Sequence, residues 1–325
     1  ELRVLEVMFK NTEKHINIRA LSKENLINII KMGVAVAGDK EHLKRRPLIS
    51  LLEAPISPLI FPDVLVDALF LSGEYGIPIE ICSTPSIGAT GPITLAGSLL
   101  LTTVEHLATF VLSQVGNPGS PLIWAPRYPV MDMATGSVGV TVEAGIVSAA
   151  SAQLATDYYN LVSDLHGPST NSLIPDGESL LEPAFAAFIT GYSAPTILCG
   201  AGALELGLVA SLEQLVLDNE VFGIVRRAFA GFKVAEAIAR VGIGGNYLLD
   251  EHTQKYLREK RHTSYLLKPK TRDNWIASGS KGIVERARER VQTILKEHKP
   301  APLDKGIALE LEKIVANAEK EFGSE

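Results

Sequence analysis

Five polar side chains stand where apolar, strand-like runs of this sequence end: Glu53, Thr84, Arg127, His166 and Cys199. The carboxyl ends of parallel strands share one edge of a sheet, and α/β proteins place their active sites at that edge. His166 is followed directly by Gly167-Pro168. An imidazole at such a position could carry a proton in acid–base catalysis.

Loop residues just beyond these ends enlarge the candidate set: Thr90, Asp132, Glu143, Asp176 and Glu205. We take His166, Glu143 and Asp176 as candidate catalytic residues, because an imidazole and carboxyl groups can divide acid and base roles. Glu143 also fits a position in the first turn of a helix, where the helix dipole stabilises a carboxylate.

The glycine-rich segment Gly88-Ala89-Thr90-Gly91 follows one of the strand-like runs. Small residues let backbone N–H groups approach an anion, and the next helix begins nearby. We therefore predict Gly88 and Gly91 as cofactor-binding residues and Thr90 as a substrate-binding residue. A tight turn without a ligand is the alternative, and no G-K-[ST] sequence follows to suggest a Walker loop.

Aromatic residues make up only 6% of the chain, yet several lie on or beside two predicted neighbouring strands: Trp124, Tyr128, Tyr158 and Tyr159. Aromatic rings can bind a quaternary ammonium group through cation–π contacts. Trp124, Tyr128 and Tyr158 are thus candidate substrate-binding residues, and core packing is the alternative role.

Several classes of site are disfavoured by the sequence. The seven His residues are scattered, without an H-x-x-x-H or a Cys/His cluster, so we predict no metal site. A serine-hydrolase elbow G-x-S-x-G is absent. The net charge of −6 argues against nucleic-acid binding. Cys82 and Cys199 lie in apolar runs, which predicts reduced thiols and a cytoplasmic protein.

The elements that must position these residues alternate between strand and helix. Predicted strands cover His15–Leu21, Pro47–Glu53, Pro78–Thr84, Pro121–Arg127, Tyr158–Leu165 and Pro195–Ala201. Predicted helices cover Lys23–Val36, Phe61–Tyr75, Thr94–Gln114, Glu143–Ala155 and Leu180–Thr190. This alternation indicates parallel strands joined by right-handed crossovers.

We predict an α/β fold, a TIM-type (β/α)8 barrel that lacks its N-terminal strands in this fragment. One missing strand is expected in Ala239–Leu249, and the others before Glu1. An open doubly wound sheet is the alternative, although no G-x-G-x-x-G turn supports it.

Two regions are expected: a partial barrel catalytic domain at 1–249, and a charged helical C-terminal extension at 250–325 that packs on the barrel. A docking surface for a partner is the second interpretation of the extension. Charge-free stretches at Ile81–Val104, Leu107–Pro126 and Pro183–Leu204 fit buried strands and helices better than membrane spans.

A sequence motif runs from Ser169 to Glu182. It resembles the trimethylamine methyltransferase family, whose pattern is roughly T-D-S-(pyrrolysine or other)-x-P-D-x-Q-x-x-x-E. The matching residues are Thr170, Ser172, Pro175, Asp176 and Glu182, while Asn171 and Glu178 differ from the family's Asp and Gln. Leu173 occupies the pyrrolysine position. Other stretches resemble the family in order along almost the whole chain, among them 88–97, 132–136, 200–205, 242–248 and 302–304.

The resemblance implies a TIM barrel that moves a methyl group from an amine to the cobalt of a separate corrinoid protein. A cobalamin-binding D-x-H-x-x-G is absent from the chain. We therefore expect no cofactor bound by this chain itself, with cob(I)alamin on a partner corrinoid protein as methyl acceptor. Barrels of this family are often homo-oligomers.

Leu173 changes the expected substrate, because an aliphatic side chain cannot form the covalent amine adduct attributed to pyrrolysine. A quaternary amine already carries positive charge and leaves as a neutral tertiary amine. Members without pyrrolysine resemble demethylases of glycine betaine and related compounds. The resemblance thus implies a betaine substrate, with Arg127 or the glycine-rich turn on its carboxylate. Leu173 and Glu205 complete the candidate substrate-binding residues.

Two other functions remain open from the sequence. One is a non-catalytic barrel that binds a betaine or a corrinoid protein. The other is an unrelated barrel lyase in which His166 and Glu143 act as acid and base.

Overall fold

The computed structural model describes residues 1–231, 240–257, 264–268 and 270–322. Strands and helices alternate along the first two thirds of the chain. The helices are α1 (Leu2–Asn11), α2 (Lys23–Ala37), α3 (Lys40–Arg45), α4 (Asp63–Glu74), α5 (Leu95–Gly116), α6 (Val142–Gln153), α7 (Glu178–Tyr192), α8 (Leu212–Phe229), α9 (Glu251–Leu257), α10 (Arg272–Ala277), α11 (Ile283–Glu297) and α12 (Lys305–Phe322).

The strands are short. They are β1 (Ile16–Ile18), β2 (Ile49–Glu53), β3 (Ile79–Ile81), β4 (Leu122–Trp124), β5 (Val130–Met131), β6 (Val138–Gly139), β7 (Asp164–His166), β8 (Ile197–Cys199), β9 (Ala203–Leu204) and β10 (Val209–Ala210). Five of the six predicted strand segments contain one of them, and the sixth, Tyr158–Leu165, overlaps the first two residues of β7. The two additional pairs, β5–β6 and β9–β10, are antiparallel and were not predicted.

The principal sheet is parallel, in the order β1-β2-β3-β4. A parallel bridge between Trp124 and Ser163 places β7 next to β4, and β7 pairs in parallel with β8. Helical crossovers between successive strands produce this arrangement, since parallel neighbours cannot be joined by a tight hairpin. The structure is therefore a mixed α/β fold with six parallel strands that lie side by side.

The two faces of the sheet differ in chemistry. Ile16, Ile49 and Ile79 belong to the main apolar core, where they pack with residues of α1, α2 and α4. Register places Ser50, Glu80 and Asp164 together on the opposite face. Successive strand residues alternate between faces, so one face packs against helices while the other carries polar groups.

The helix that follows β1 shows how local sequence sets these boundaries. Ser22 precedes α2, and its side chain accepts a hydrogen bond from the Asn25 N–H. This N-cap satisfies a donor that the helix itself leaves free. Gly38 ends the helix at a positive φ of 96°, a conformation that glycine adopts without steric cost.

The structure corrects two expectations. Leu154–Tyr158 forms a π-helical turn, and the strand predicted at Tyr158–Leu165 begins only at Asp164. In the predicted strand Ala239–Leu249, Ala239 lies outside the described residues, and positions 240–249 form a helix end and turns. Six parallel strands adjoin in the described ranges, and their closure into an eight-stranded barrel stays a prediction.

The C-terminal helices pack against the rest of the chain. Leu311 and Val315 of α12 belong to the same apolar core as α1 and α2. Lys10 on α1 forms an ion pair with Glu312 at 2.8 Å. Ala287 of α11 packs with Leu217 of α8 in a separate small cluster. The boundary at residues 249 and 250 remains a prediction.

Helix α5 is long and apolar enough to cross a membrane by length and composition, a test that core helices of other proteins also pass. Its buried residues are polar: Ser98, Thr102, Glu105, His106, Thr109 and Ser113. Glu105 accepts hydrogen bonds from Ser57, from the Leu59 N–H at 2.9 Å, and from Ser83. The helix thus fixes loops at the carboxyl ends of β2 and β3.

Candidate active site

A cavity of about 240 Å³ lies beyond the carboxyl ends of β3, β4 and β7. Three predicted residues line it: Arg127, Tyr128 and His166. The remaining walls come from Thr84, Pro129, Val140, Ala144, Gly145, Ser148, Gly167, Ala186 and Leu206. The structure therefore brings together one cation, one aromatic ring and one imidazole.

His166 is the last residue of β7, and its half-buried side chain forms part of the cavity wall. Burial, with the nearby charge of Arg127, lowers the pKa of His166 to about 3. Its imidazole is therefore neutral near pH 7, and a base with so low a pKa is a weak proton acceptor. This geometry favours a hydrogen-bonding role for His166 over the predicted acid–base role.

Gly200 allows the close approach of β8 to His166. A Cβ at this position would lie 2.5 Å from His166 Nε2 and 2.4 Å from the Pro168 carbonyl oxygen. Its φ of 110° is also one that side chains rarely adopt. A glycine here is required both by conformation and by space.

Arg127 is held by many acceptors. Its Nη1 donates to the carbonyl oxygens of Ala125, Pro126 and Asp164 at 2.9–3.0 Å. Its Nη2 donates to Cys199 Sγ at 3.1 Å and lies 3.6 Å from Asp164 Oδ2. Among the described residues, Nε has no hydrogen bond, so this N–H could reach a ligand in the cavity.

The predicted aromatic cage is not assembled. Tyr128 lines the cavity, and its hydroxyl lies 2.9 Å from Thr102 Oγ1. Trp124 is fully buried elsewhere, where it stacks on His106 at 4.3 Å and donates from Nε1 to Ser151 Oγ. Tyr158 is 76% exposed. Trp124 and Tyr158 therefore do not line the cavity.

Two predicted catalytic carboxylates lie at helix N-termini. Glu143 is in the first turn of α6 and accepts a hydrogen bond from Thr141 Oγ1 at 2.5 Å. Asp176 accepts from the Ser179 N–H at 3.0 Å, just before α7. These hydrogen bonds lower the pKa of both carboxyl groups. Both are ionised near neutral pH; Asp176 caps the start of α7, and Glu143 lies in the first turn of α6, where the helix dipole favours a carboxylate.

The glycine-rich turn closes on itself. The Gly88 N–H donates to the Gly91 carbonyl, and the Gly91 N–H donates to the Ser86 carbonyl. Thr90 Oγ1 accepts from the Ser86 N–H at 2.9 Å. These N–H groups are therefore engaged within the turn, which favours the interpretation of a tight turn without a ligand.

The segment 169–176 is a loop braced by Glu182 of α7. Glu182 Oε2 accepts from Thr170 Oγ1 at 2.6 Å and from the Asn171 N–H at 2.8 Å. Its Oε1 accepts from Asn171 Nδ2 at 2.6 Å. The N–H groups of Glu205 and Leu206 donate to carbonyl oxygens of the same loop. The spacing of the motif is thus explained by hydrogen bonds within it.

Leu173 projects from this braced loop. Its side chain is 68% exposed, and it does not line the cavity. Glu205, which lies at a positive φ of 48°, supports the loop through its backbone and does not line the cavity either. The geometry therefore places both residues beside the candidate site rather than in it.

Sequence reasoning missed two buried carboxyl groups next to Arg127, those of Glu80 and Asp164. The signal was present, because each interrupts an apolar strand: Ile79-Glu80-Ile81 and Asp164-Leu165. A charged residue inside a buried strand is rarely tolerated without a partner. Among the described residues, no group of three or more His, Cys, Asp or Glu is placed to hold a metal ion.

Comparison of the sequence with known proteins identifies its family. Residues 1–323 match the sequence pattern of the family described as trimethylamine methyltransferase, MTTB. The chain belongs to the trimethylamine methyltransferase family.

Relatives within and around this family are similar over nearly the whole chain. The trimethylamine methyltransferase MttB of Desulfitobacterium hafniense is 36% identical over 98% of this chain and 65% of its own length. That of Methanosarcina barkeri is 33% identical over 88% of this chain and 59% of its own. The glycine betaine methyltransferase of Desulfitobacterium hafniense is 30% identical over 100% of this chain and 69% of its own. The chain spans about two thirds or less of the first two relatives' length.

Proposed function

We propose that this chain is part of a methyltransferase that takes a methyl group from a quaternary amine, glycine betaine or a related betaine. The methyl acceptor would be Co(I) of a separate corrinoid protein. Membership of the family supports methyl transfer from an amine, and a relative named glycine betaine methyltransferase supports the betaine.

The observation that carries the choice of a betaine is the pairing of Arg127 with Tyr128 in one small cavity. A betaine has an anionic and a cationic end. The free Nε–H of Arg127 suits a carboxylate, and the ring of Tyr128 suits an ammonium group. A volume of about 240 Å³ lies below the ~300–1,000 Å³ typical of drug-sized ligands, which fits a small metabolite.

The chemistry of a quaternary amine agrees with the state of the nearby titratable groups. The methyl group leaves with its three hydrogens, the nitrogen keeps the electron pair of the broken C–N bond, and a neutral tertiary amine departs. Co(I) supplies the electron pair that forms the new bond and becomes methyl-Co(III). No proton is transferred, so the neutral His166 and the ionised Glu143 and Asp176 do not hinder the step.

His166 and Arg127 would then orient the substrate rather than exchange protons with it. A neutral imidazole adds no positive charge that would repel the ammonium end. The cavity is too small to enclose a corrinoid, which supports an acceptor delivered by a partner. We also propose that the six parallel strands are part of an eight-stranded barrel, because each of them is followed by a helix along the chain, as in a (β/α)8 barrel.

The test uses the full-length protein, its corrinoid protein reduced to Co(I), and glycine betaine. Formation of methyl-Co(III) is followed by cobalt absorbance. Methylation with glycine betaine but not with trimethylamine supports the proposal. Methylation with trimethylamine alone contradicts the betaine assignment, and no reaction with any amine supports a non-catalytic role.

Arg127→Gln tests the carboxylate contact. We expect a higher KM for glycine betaine. Choline lacks a carboxylate, so its inhibition constant as a competing ligand should not change. Arg226→Gln on the exposed face of α8 is the matched control. Equal KM values for both variants would remove Arg127 from substrate binding.

A further inference from the structure

A buried acceptor next to the cavity lacks a donor. Asp164, at the start of β7, is 5% exposed, and its Oδ1 has no hydrogen-bond partner in the part of the chain that the structure describes. Its Oδ2 lies 3.6 Å from Arg127 Nη2. A buried acceptor without a hydrogen bond costs free energy. This indicates that a neighbouring group carries a proton and donates it to Asp164.

Glu80 stands at the position from which that donor can come. It lies in the middle of β3, is 4% exposed, and its carboxyl group is on the same face of the sheet as that of Asp164, whose charge acts on it. Strand β4 separates their strands, and side chains from alternate strands meet in this way on the inner face of a strongly curved sheet. Ser50 Oγ donates to Glu80 Oε1 at 3.1 Å, so one oxygen of Glu80 acts as an acceptor.

Two carboxylates in contact inside a protein do not both ionise. The positive charge of Arg127 lies near Asp164 and favours its anion. We propose that Glu80 carries a proton, donates it in a hydrogen bond to Asp164 Oδ1, and so leaves the pair with a single negative charge that holds the Arg127 guanidinium in the cavity wall. Glu80 and Asp164 are then positioning residues for Arg127.

The surroundings agree with this assignment. Burial, together with the charge of Asp164, raises the pKa of Glu80 to about 7. The other titratable groups around Arg127 are the thiols of Cys199 and Cys82 and the neutral ring of His166, and burial raises the pKa of Cys199 far above neutral pH. One guanidinium and one carboxylate therefore remain as the charged groups of the wall.

Loss of the proton would disturb Arg127. Once Glu80 ionises, Asp164 Oδ1 loses its donor, and two carboxylates attract the same guanidinium. The side chain would be drawn from the cavity towards the strands. The position of Arg127 is thus linked to pH through a residue that does not line the cavity.

Infrared difference spectroscopy tests the proton directly. The spectrum of the wild-type protein minus that of Glu80→Gln should show the band of a protonated carboxylic acid at pH 5.5, and the band should disappear with a midpoint set by the Glu80 pKa of about 7. Glu143→Gln is the control, because a hydrogen bond from Thr141 lowers the pKa of Glu143 and its difference spectrum should show no acid band at pH 5.5. A Glu80→Gln difference spectrum without an acid band at pH 5.5 would overturn the proposal.

A second measurement tests the positioning of Arg127. The amide introduced by Glu80→Gln can still donate to Asp164, so this variant should keep a melting temperature close to that of the wild type at pH 4.5 and lack the wild-type decline between about pH 4.5 and about pH 7. Asp164→Asn removes the counter-ion and should lower the melting temperature at both pH values. If Glu80→Gln instead destabilises the protein at pH 4.5 as much as Asp164→Asn does, the shared proton is refuted.

The inference concerns the Arg127 contact used in the proposed function, yet the two can fail separately. The infrared band requires no substrate and no corrinoid protein. Its presence without methyl transfer would leave the carboxyl pair established and the proposed activity refuted, and its absence beside methyl transfer would do the reverse.

Discussion

Replacement of Glu182 by Gln should loosen the loop that carries the family motif. The carboxylate accepts three hydrogen bonds, from Thr170 Oγ1, the Asn171 N–H and Asn171 Nδ2. A hydrogen bond to a charged group contributes ~1.5–3 kcal/mol and one between neutral groups ~0.5–1.5 kcal/mol, so each contact loses ~1 kcal/mol. The glutamine side chain also turns an NH₂ group towards at least one of the donors.

The loss summed over the three contacts is ~3 kcal/mol, and solvent at this half-buried site reduces it to ~2 kcal/mol. A loss of ~2 kcal/mol raises the equilibrium constant for unfolding about thirtyfold. Urea unfolding measures the loss of stability, and hydrogen exchange of the Asn171 amide measures the local loosening. Glu178→Gln, four residues earlier on the same helix, is the control, with an expected change below ~1 kcal/mol. Equal losses in the two variants, or unchanged exchange at Asn171, would refute the assignment of Glu182 as the brace.

Three further predictions concern the core and the sheet. Gly200→Ala should lower the free energy of unfolding in urea by at least ~2 kcal/mol, because its Cβ would meet the Pro168 carbonyl oxygen at 2.4 Å. Gly207 also has a positive φ, but no atom lies within 4 Å of the position of its Cβ, so Gly207→Ala measures the cost of the backbone conformation alone. Trp124→Phe should cost ~1–3 kcal/mol by the same measurement, since Ser151 loses a buried partner, and a neutral outcome would contradict that hydrogen bond. Burial raises the pKa of Glu53 to about 7, so the stability of the wild type falls as pH rises from about 4.5 to about 7. Glu53→Gln should remove up to ~3 kcal/mol of that fall in the free energy of unfolding. Parallel stability–pH curves for the wild type and the variant would refute this prediction.

Apolar periodicity was sufficient to predict the parallel strands. Runs such as Pro47–Glu53 and Pro78–Thr84 each contain an observed strand, because buried parallel strands are rich in apolar residues. The same signal placed the start of the strand wrongly at Tyr158–Leu165. There Tyr158 ends a π-helical turn that continues helix α6, and the strand begins only at Asp164.

Sequence reasoning found those site residues whose place in the cavity follows from their position at the end of a strand. Arg127, Tyr128 and His166 follow strand ends and line one cavity. Trp124 ends a strand as well, yet its side chain points to the other face and is buried against His106. One residue of register decides which face a strand side chain occupies, and the sequence pattern does not fix register to that accuracy.

The interior carboxyl pair could not be derived from spacing. Glu80 and Asp164 are distant in sequence and meet only because two alternate strands of a curved sheet converge. The positions of Glu143 in the first turn of α6 and of Asp176 just before α7, by contrast, could be predicted from the sequence, and for Glu143 the first-turn position was stated as an alternative.

In the loop braced by Glu182, the backbone conformation does not depend on the side chain at position 173. Its conformation is set by Thr170, Asn171 and Glu182, while Leu173 contributes no hydrogen-bonding side chain and is largely in solvent. Exchange of that one side chain need not refold its surroundings. The hydrogen bonds of the brace thus leave position 173 open to side chains of different size and chemistry without a change in the fold of the loop.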